Sequence, residues 1–203
     1  ADFNLANLRL EVPELPAVKR QRFKEQFGLK EEQANILAED RREAQYFEEA
    51  VSELEEDTAS PLGKEKAQIL FNYLNSDLKG LLRAQELNFS DLKITPDNFA
   101  DLIKMVSENK ISSRVAKDLL VKMLDSGVDP ETLVENEGLG QISGEEELVA
   151  TVKKVISENP KAVEDYKKGK GNSLQFLIGK AMGELKGRGN PAVLRGLFEK
   201  ELR

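Results

Sequence analysis

The 203-residue sequence contains no cysteine, no histidine and no tryptophan, and aromatic residues make up only 6% of it. Without Cys or His there can be no zinc finger, disulfide scaffold, Cys or Ser–His nucleophile, haem site or blue-copper site, so most of the usual catalytic repertoire is excluded. No apolar run approaches the roughly 20 residues needed to cross a bilayer, and no signal-peptide pattern is present. The chain opens Ala1-Asp2-Phe3 without methionine, as a fragment or a processed product would. Zero cysteine fits a reducing compartment, and the expectation is a cytoplasmic protein with no membrane partner.

What is present is charge and helical punctuation. The hydrophobic fraction is 39%, the charged fraction 33% and the net charge −7, values normal for a globular chain of one domain or two small lobes. All seven prolines stand where a helix can begin or has not yet begun. Five of them follow a residue able to cap a helix N-terminus: Ser60-Pro61, Thr95-Pro96, Asp129-Pro130, Asn159-Pro160 and Asn190-Pro191. A cap oxygen accepts an orphaned backbone N–H, and proline at the next position lacks only an N–H that would have had no partner.

Between these starts the apolar residues recur at helical spacing, as in Ala67, Leu70, Phe71, Leu74, Leu78, Leu81 and Leu82, and in Leu174, Leu177, Ile178, Ala181, Met182 and Leu185. The pattern predicts helices over 16–27, 31–38, 40–56, 61–86, 96–109, 112–125, 130–137, 144–158, 160–168, 173–186 and 191–202. Ser143 and Glu146 form a candidate capping box, and Gly28, Gly127, Gly169 and Gly187 stand where C-terminal caps are expected. No stretch alternates as a strand would. The expected fold is all-α, a multi-helix domain followed by a smaller tail of three to four helices.

Composition shifts along the chain. Residues 1–140 carry 18 basic and 28 acidic side chains, whereas 141–203 carry 12 and 9, and 11 of the 14 glycines lie at or after Gly127. The division this suggests is 1–28 as a leading segment with the first helix, 29–135 as a helical domain and 136–203 as a basic tail domain, with a glycine-rich linker near 126–143.

Three stretches bear on chemistry. Nine carboxylates lie between Glu39 and Asp57, but Tyr46, Phe47, Ala50, Val51 and Leu54 share one helix face, so the acids read as the solvated remainder and not a metal site. Gly138-Leu-Gly-Gln-Ile-Ser-Gly144 precedes a helix but follows no strand and has no G-K-[ST], so it reads as linker. In the tail, bases cluster beside glycine in Lys167-Lys168-Gly169-Lys170-Gly171-Asn172 and Lys186-Gly187-Arg188-Gly189-Asn190. Such loops bring charge and bare backbone N–H groups near phosphates, and they equally make ordinary polar turns. Phe176, Gly179, Lys180 and Gly183 form a second face on the helix whose first face is the Leu174–Leu185 stripe, suited either to packing on a neighbouring helix or to stacking on a base. The candidate nucleic-acid-binding residues are Lys167, Lys168, Lys170, Lys180, Lys186, Arg188 and Asn190; no catalytic or metal-ligating residue is expected.

Tyr46-Phe-Glu-Glu-Ala-Val51, Ile94-Thr-Pro-Asp-Asn-Phe-Ala-Asp-Leu-Ile103, Lys110-Ile-Ser-Ser-Arg-Val-Ala-Lys117, Glu158-Asn-Pro-Lys-Ala-Val-Glu-Asp-Tyr-Lys-Lys-Gly169 and Gly179-Lys-Ala-Met-Gly-Glu-Leu-Lys-Gly-Arg-Gly-Asn-Pro191 form an ordered series. It resembles the C-terminal part of the B subunit of the bacterial aspartyl/glutamyl-tRNA(Asn/Gln) amidotransferases, a helical domain plus a YqeY-like tail. The resemblance covers essentially the whole chain. It implies a module that holds tRNA while an ATP-dependent ligase, using glutamine as amide donor, converts Glu-tRNA(Gln) or Asp-tRNA(Asn) to the amidated forms. The implied partners are tRNA, the amidase (A) subunit, the small (C) subunit and an aminoacyl-tRNA synthetase; ATP and Mg would bind elsewhere in that complex, with no cofactor in this segment. The alternative is a helical protein–protein docking module with no direct RNA contact. Three positions depart from the family pattern: Tyr73 stands where it has Trp, Ser113 where it has Gly, and Lys180 where it has Gln.

Overall fold

A computed structural model describes residues 14–54, 58, 60–142 and 144–202. Every regular element among them is helical: α1 (Pro16–Phe27), α2 (Glu31–Glu39), α3 (Arg41–Ser52), α4 (Pro61–Asn72), α5 (Lys79–Ala84), α6 (Pro96–Ser107), α7 (Ser113–Ser126), α8 (Pro130–Glu137), α9 (Glu145–Glu158), α10 (Pro160–Lys167), α11 (Asn172–Glu184) and α12 (Pro191–Glu201). The all-α expectation holds, with starts and stops within a few residues of those read from the pattern. The expected helix over 61–86 is interrupted by a π-helical segment, Tyr73–Leu78, whose wider turn keeps Tyr73, Leu74 and Leu78 all inside. The last residues of the expected 40–56 helix, and Ser143 of the candidate capping box, lie outside the described residues.

The cap–proline pairs act as their chemistry predicts at four of five sites. Ser60 accepts from the Gly63 amide at 2.9 Å, Thr95 from Asn98 at 3.2 Å, Asp129 from Thr132 at 2.8 Å and Asn190 from Ala192 at 2.9 Å. Asn159 is the exception, because its side-chain amide turns back and donates to the Val155 carbonyl at 2.8 Å. It therefore satisfies the C-terminus of α9 and leaves the start of α10 to Pro160 alone. Gly28 and Gly127 close α1 and α7 with left-handed backbones and amides bonded to Phe23 and Met123.

The chain divides into two compact units between Ile103 and Lys104, a point inside α6. In the first unit the core is aromatic: Phe23, Phe27 and Phe47 meet with ring centroids 5.4–5.9 Å apart. Each such buried ring contributes on the order of 2–3 kcal/mol. Tyr46 packs edge-on against Phe89 and donates to the Ile94 carbonyl at 3.1 Å. The apolar face of α3 is buried, while its acids face outward or meet bases: Glu43 pairs with Lys79 at 2.7 Å, and Glu48 with Lys19 at 3.0 Å and Arg22 at 3.1 Å.

The second unit has its own core, in which Leu148, Val152 and Val155 of α9 meet Leu174, Leu177 and Ala181 of α11 and Leu194 and Phe198 of α12. The Leu174–Leu185 stripe faces this core as its spacing required. The segment expected to be a linker is tied down inside the same unit. The Gln141 amide donates to Lys110 at 2.7 Å, the Ile142 amide to Arg188 at 2.9 Å, and the Arg188 guanidinium to Gly138 at 2.9 Å. The boundary suggested by composition, at residue 136, thus falls within this compact unit.

Candidate nucleic-acid interface

The sequence-predicted residues fall at the two ends and on the outer face of α11. Thirteen residues of helix, roughly 20 Å, separate the turn that precedes it from the loop that follows it. Lys167, Lys168 and Lys170 belong to the first place, Lys186, Arg188 and Asn190 to the second, and Lys180 to the face between.

At the first place the ammonium of Lys168 meets Glu164 one turn back, and Lys170 meets Asp165 at 2.9 Å. The Lys170 hydrogen bond holds the Asp165 carboxyl below its usual range, and the charges of Lys168 and Lys161 push the same way. Lys167 is exposed. The four lysines 161, 167, 168 and 170 outnumber the two acids they surround. Gly169 and Gly171 are open, with nothing within 4 Å of where a Cβ would stand. Three amides of this turn are not free as the sequence suggested: those of Lys168, Gly169 and Lys170 donate to the Glu164, Tyr166 and Asp165 carbonyls in closing α10.

A cleft of about 810 Å³ opens beside this turn, lined by Asn159, Pro160 and Lys161 at the start of α10 and by Lys170, Gly171 and Phe176 at the start of α11, with Glu158 and Asp165 among its acids. Lys161 was not among the predicted residues; its signal was the Pro160 helix start, which puts the next side chain on the first turn beside the incoming loop.

On α11 the second face is bare. Phe176 is 49% exposed, and Lys180 places its ammonium 5.5 Å from the ring centroid, the i,i+4 spacing of one turn. Gly179 and Gly183 have nothing within 4 Å of an added Cβ. Of the two uses the sequence left open, packing on a neighbouring helix is not realised among the described residues of the second unit. Glu184, the acid nearest this face in sequence, is engaged by Lys154 of α9 at 2.6 Å.

At the second place the glycines serve packing. Gly187 has φ +78° and lies under Arg114, whose Cδ stands 2.9 Å from where a Cβ would be. A Cβ on Gly189 would meet Leu185 at 2.7 Å and Leu194 at 3.1 Å. The Lys186, Gly187 and Arg188 amides close the end of α11 on Gly183, Met182 and Leu185. Asn190 caps α12, Arg188 holds Gly138, and Lys186 extends into solvent with a left-handed backbone at φ 51°. Arg114 adds base to this end, and a smaller hollow of about 260 Å³ lies between Asn190, Arg114 and Gln141. Among the described residues no group of three His, Cys, Asp or Glu is placed to hold a metal, and no helix is long and apolar enough to cross a membrane.

These features define a class: an all-helical chain of net negative charge that confines an open aromatic–lysine face and two basic turns to one helix of its second unit. Residues 45–202 match the family model described as GatB domain, and the chain belongs to that family. Its relatives include the B subunit of the aspartyl/glutamyl-tRNA(Asn/Gln) amidotransferase of Caldanaerobacter subterraneus subsp. tengcongensis, 40% identical over 96% of this chain and 39% of the relative. Those of Thermomicrobium roseum and Rickettsia canadensis are 39% and 35% identical over 98% and 100% of this chain, covering 39% and 40% of each relative. The chain therefore spans about two fifths of the length of the curated relatives it matches.

Proposed function

We propose that this chain is the tRNA-holding part of a glutamine-dependent amidotransferase that converts Glu-tRNA(Gln) or Asp-tRNA(Asn) to Gln-tRNA(Gln) or Asn-tRNA(Asn). The observation that supports this reading is Phe176, exposed beneath Lys180 between two basic turns, on a chain of the GatB domain family. A net charge of −7 opposes indiscriminate binding of polyanions, so the RNA contact is local to this face. The segment binds and positions; activation of the carboxylate with ATP and Mg, and release of ammonia from glutamine, belong to other parts of the assembly, which include its amidase and its small third component.

A gel shift of the 203-residue chain with deacylated tRNA at two salt concentrations tests the reading. Retention that weakens with salt, by roughly 0.7 to 0.9 in log–log slope per phosphate neutralised, is the expected result. No retention at either concentration removes the proposal. A docking module without RNA contact is the second reading, favoured by Leu15 and Val18, which stand 64% and 54% exposed at the start of the first unit. It predicts association with a partner protein of the assembly and no shift of tRNA.

A further inference from the structure

Phe176 is an anomaly among the described phenylalanines. Phe23, Phe47, Phe99 and Phe198 are wholly buried, whereas Phe176 leaves half its surface open, on the side of α11 away from its apolar face. Its ring borders the 810 Å³ cleft and also carries the Lys180 ammonium. That volume lies within the roughly 300–1,000 Å³ range of sites that enclose small ligands.

The lining decides what kind of occupant fits. A partner helix laid into a groove needs several aliphatic anchors at helical spacing. This cleft offers Pro160, Ala162 and Phe176 as its apolar members and no Leu, Ile, Val or Met. It offers instead one ring, two lysines at the rim in Lys161 and Lys170, the latter paired with Asp165, a third over the ring, and open glycine backbone at Gly171, with Glu158 as the other carboxylate of the lining. A flat apolar group with an anionic tether matches that set: the ring stacks it, the lysines meet the tether, and the missing Cβ atoms of Gly171, Gly179 and Gly183 let a backbone come close.

We infer that the cleft between the starts of α10 and α11 takes one unpaired nucleobase of an RNA chain, stacked on Phe176, with the flanking phosphates on Lys161, Lys170 and Lys180. This inference rests on the reading of the chain as an RNA-binding module and adds to it a single-stranded element: the lysines read phosphate charge, and Phe176 requires a base that has left its stack. Asp165 holds Lys170 at the rim until a phosphate competes for it. Stacking is indifferent to base identity, so the site selects an unstacked base and not a sequence.

The test uses the 203-residue chain and a tRNA transcript in which uridine is replaced by 5-iodouridine, whose photochemistry joins the halogenated base to an aromatic ring stacked on it. Irradiation followed by peptide mass spectrometry is expected to place a crosslink on Phe176, and a short single-stranded 5-iodouridine oligonucleotide should give the same adduct. Phe176→Ala should weaken tRNA binding by about five- to a hundredfold. It should leave the salt slope unchanged, because no phosphate contact is lost. Phe176→Trp should restore binding and Phe176→Leu, which keeps apolar bulk without a π face, should not. The side chain is half exposed, so these variants keep the helical circular dichroism of the parent, and that is checked alongside.

Salt-dependent tRNA binding with Phe176→Leu equal to the parent and crosslinks elsewhere overturns the stacking site and leaves the tRNA reading standing. Absence of tRNA binding at any salt overturns both. If adenosine monophosphate competes as well as the oligonucleotide does, the cleft is a free-nucleotide site and the inference fails. If Phe176→Ala leaves RNA binding intact but abolishes association with the amidase, the ring is a protein anchor and the inference fails.

Discussion

The Ser112 hydroxyl donates to the Gly187 carbonyl, 75 residues away, and accepts from the Val115 amide at 3.3 Å. One buried oxygen thus caps α7 and fixes the loop that carries Lys186 and Arg188. Ser112→Ala removes both bonds, leaving a helix amide and a carbonyl unpaired in a nearly closed site, and should cost about 2–3 kcal/mol. Urea unfolding measures the loss, and amide exchange should quicken through residues 186–190. A change under about 0.5 kcal/mol would mean that water replaces the hydroxyl and the loop needs no such tie.

This bond also marks the limit of what the sequence discloses. The cap–proline pairs and apolar stripes are local, and they located the helices closely, down to Pro130–Glu137. Gly187 and Gly189 look in sequence like glycines that admit phosphates. Their reason lies in Arg114, Leu185 and Leu194, side chains that approach them through the tertiary fold. Helical spacing likewise gave α11 a second face with Phe176 and Lys180, but no periodicity says whether another helix covers it. The division at Ile103 and Lys104 was illegible for the same cause, because a boundary inside a helix leaves no glycine or proline to mark it.

The glycines of α11 separate stability from function. Gly179 and Gly183 have helical neighbours on both sides and open space where a Cβ would stand, so Gly→Ala at each should stabilise the chain by roughly 0.5–1 kcal/mol through helix propensity. Gly187→Ala should do the reverse by more than about 1 kcal/mol, since its φ of +78° and the Arg114 arm both resist a Cβ. Thermal unfolding distinguishes them. If Gly179→Ala and Gly183→Ala raise Tm while tRNA affinity falls, close backbone approach on that face is required for binding; if they lower Tm, the face is packed in a way the structure does not contain.

Tyr46 should make the first unit sensitive to alkali. Burial pushes its phenol far above the ordinary range near 10, because the charged form would lose its water among Phe89, Phe99 and the Ile94 carbonyl. The folded state therefore keeps the proton while the unfolded chain releases it above about pH 10, and stability falls by roughly 1.4 kcal/mol per pH unit beyond that point. Tyr46→Phe keeps the packing, loses the hydrogen bond at a cost of about 1 kcal/mol at pH 7, and has no such proton to hold. Urea midpoints of the two proteins from pH 7 to 11 should converge and cross. A constant gap would show that the phenol ionises equally in both states.

Lys186 and Arg188 sit two residues apart and should behave differently. Lys186 extends into solvent, so Lys186→Ala should leave stability within about 0.5 kcal/mol and reduce the tRNA salt slope by roughly 0.7 to 0.9 if its ammonium meets a phosphate. Arg188 bonds the Gly138 carbonyl and is partly covered, so Arg188→Ala should cost about 1–2 kcal/mol and loosen the 138–142 segment as well. Arg188→Lys is the informative control, since it keeps the charge while losing the planar donor that reaches Gly138. It should retain the salt slope of the parent and show the lower stability of Arg188→Ala. Placed in a complete amidotransferase, Lys186→Ala should raise the KM for mischarged tRNA more than it lowers kcat, because a phosphate contact made equally in the ground and transition states is uniform binding. If Lys186→Ala binds tRNA with the parent's affinity and slope, the loop after α11 is only a tertiary clamp, and RNA contact belongs to the α10–α11 end alone.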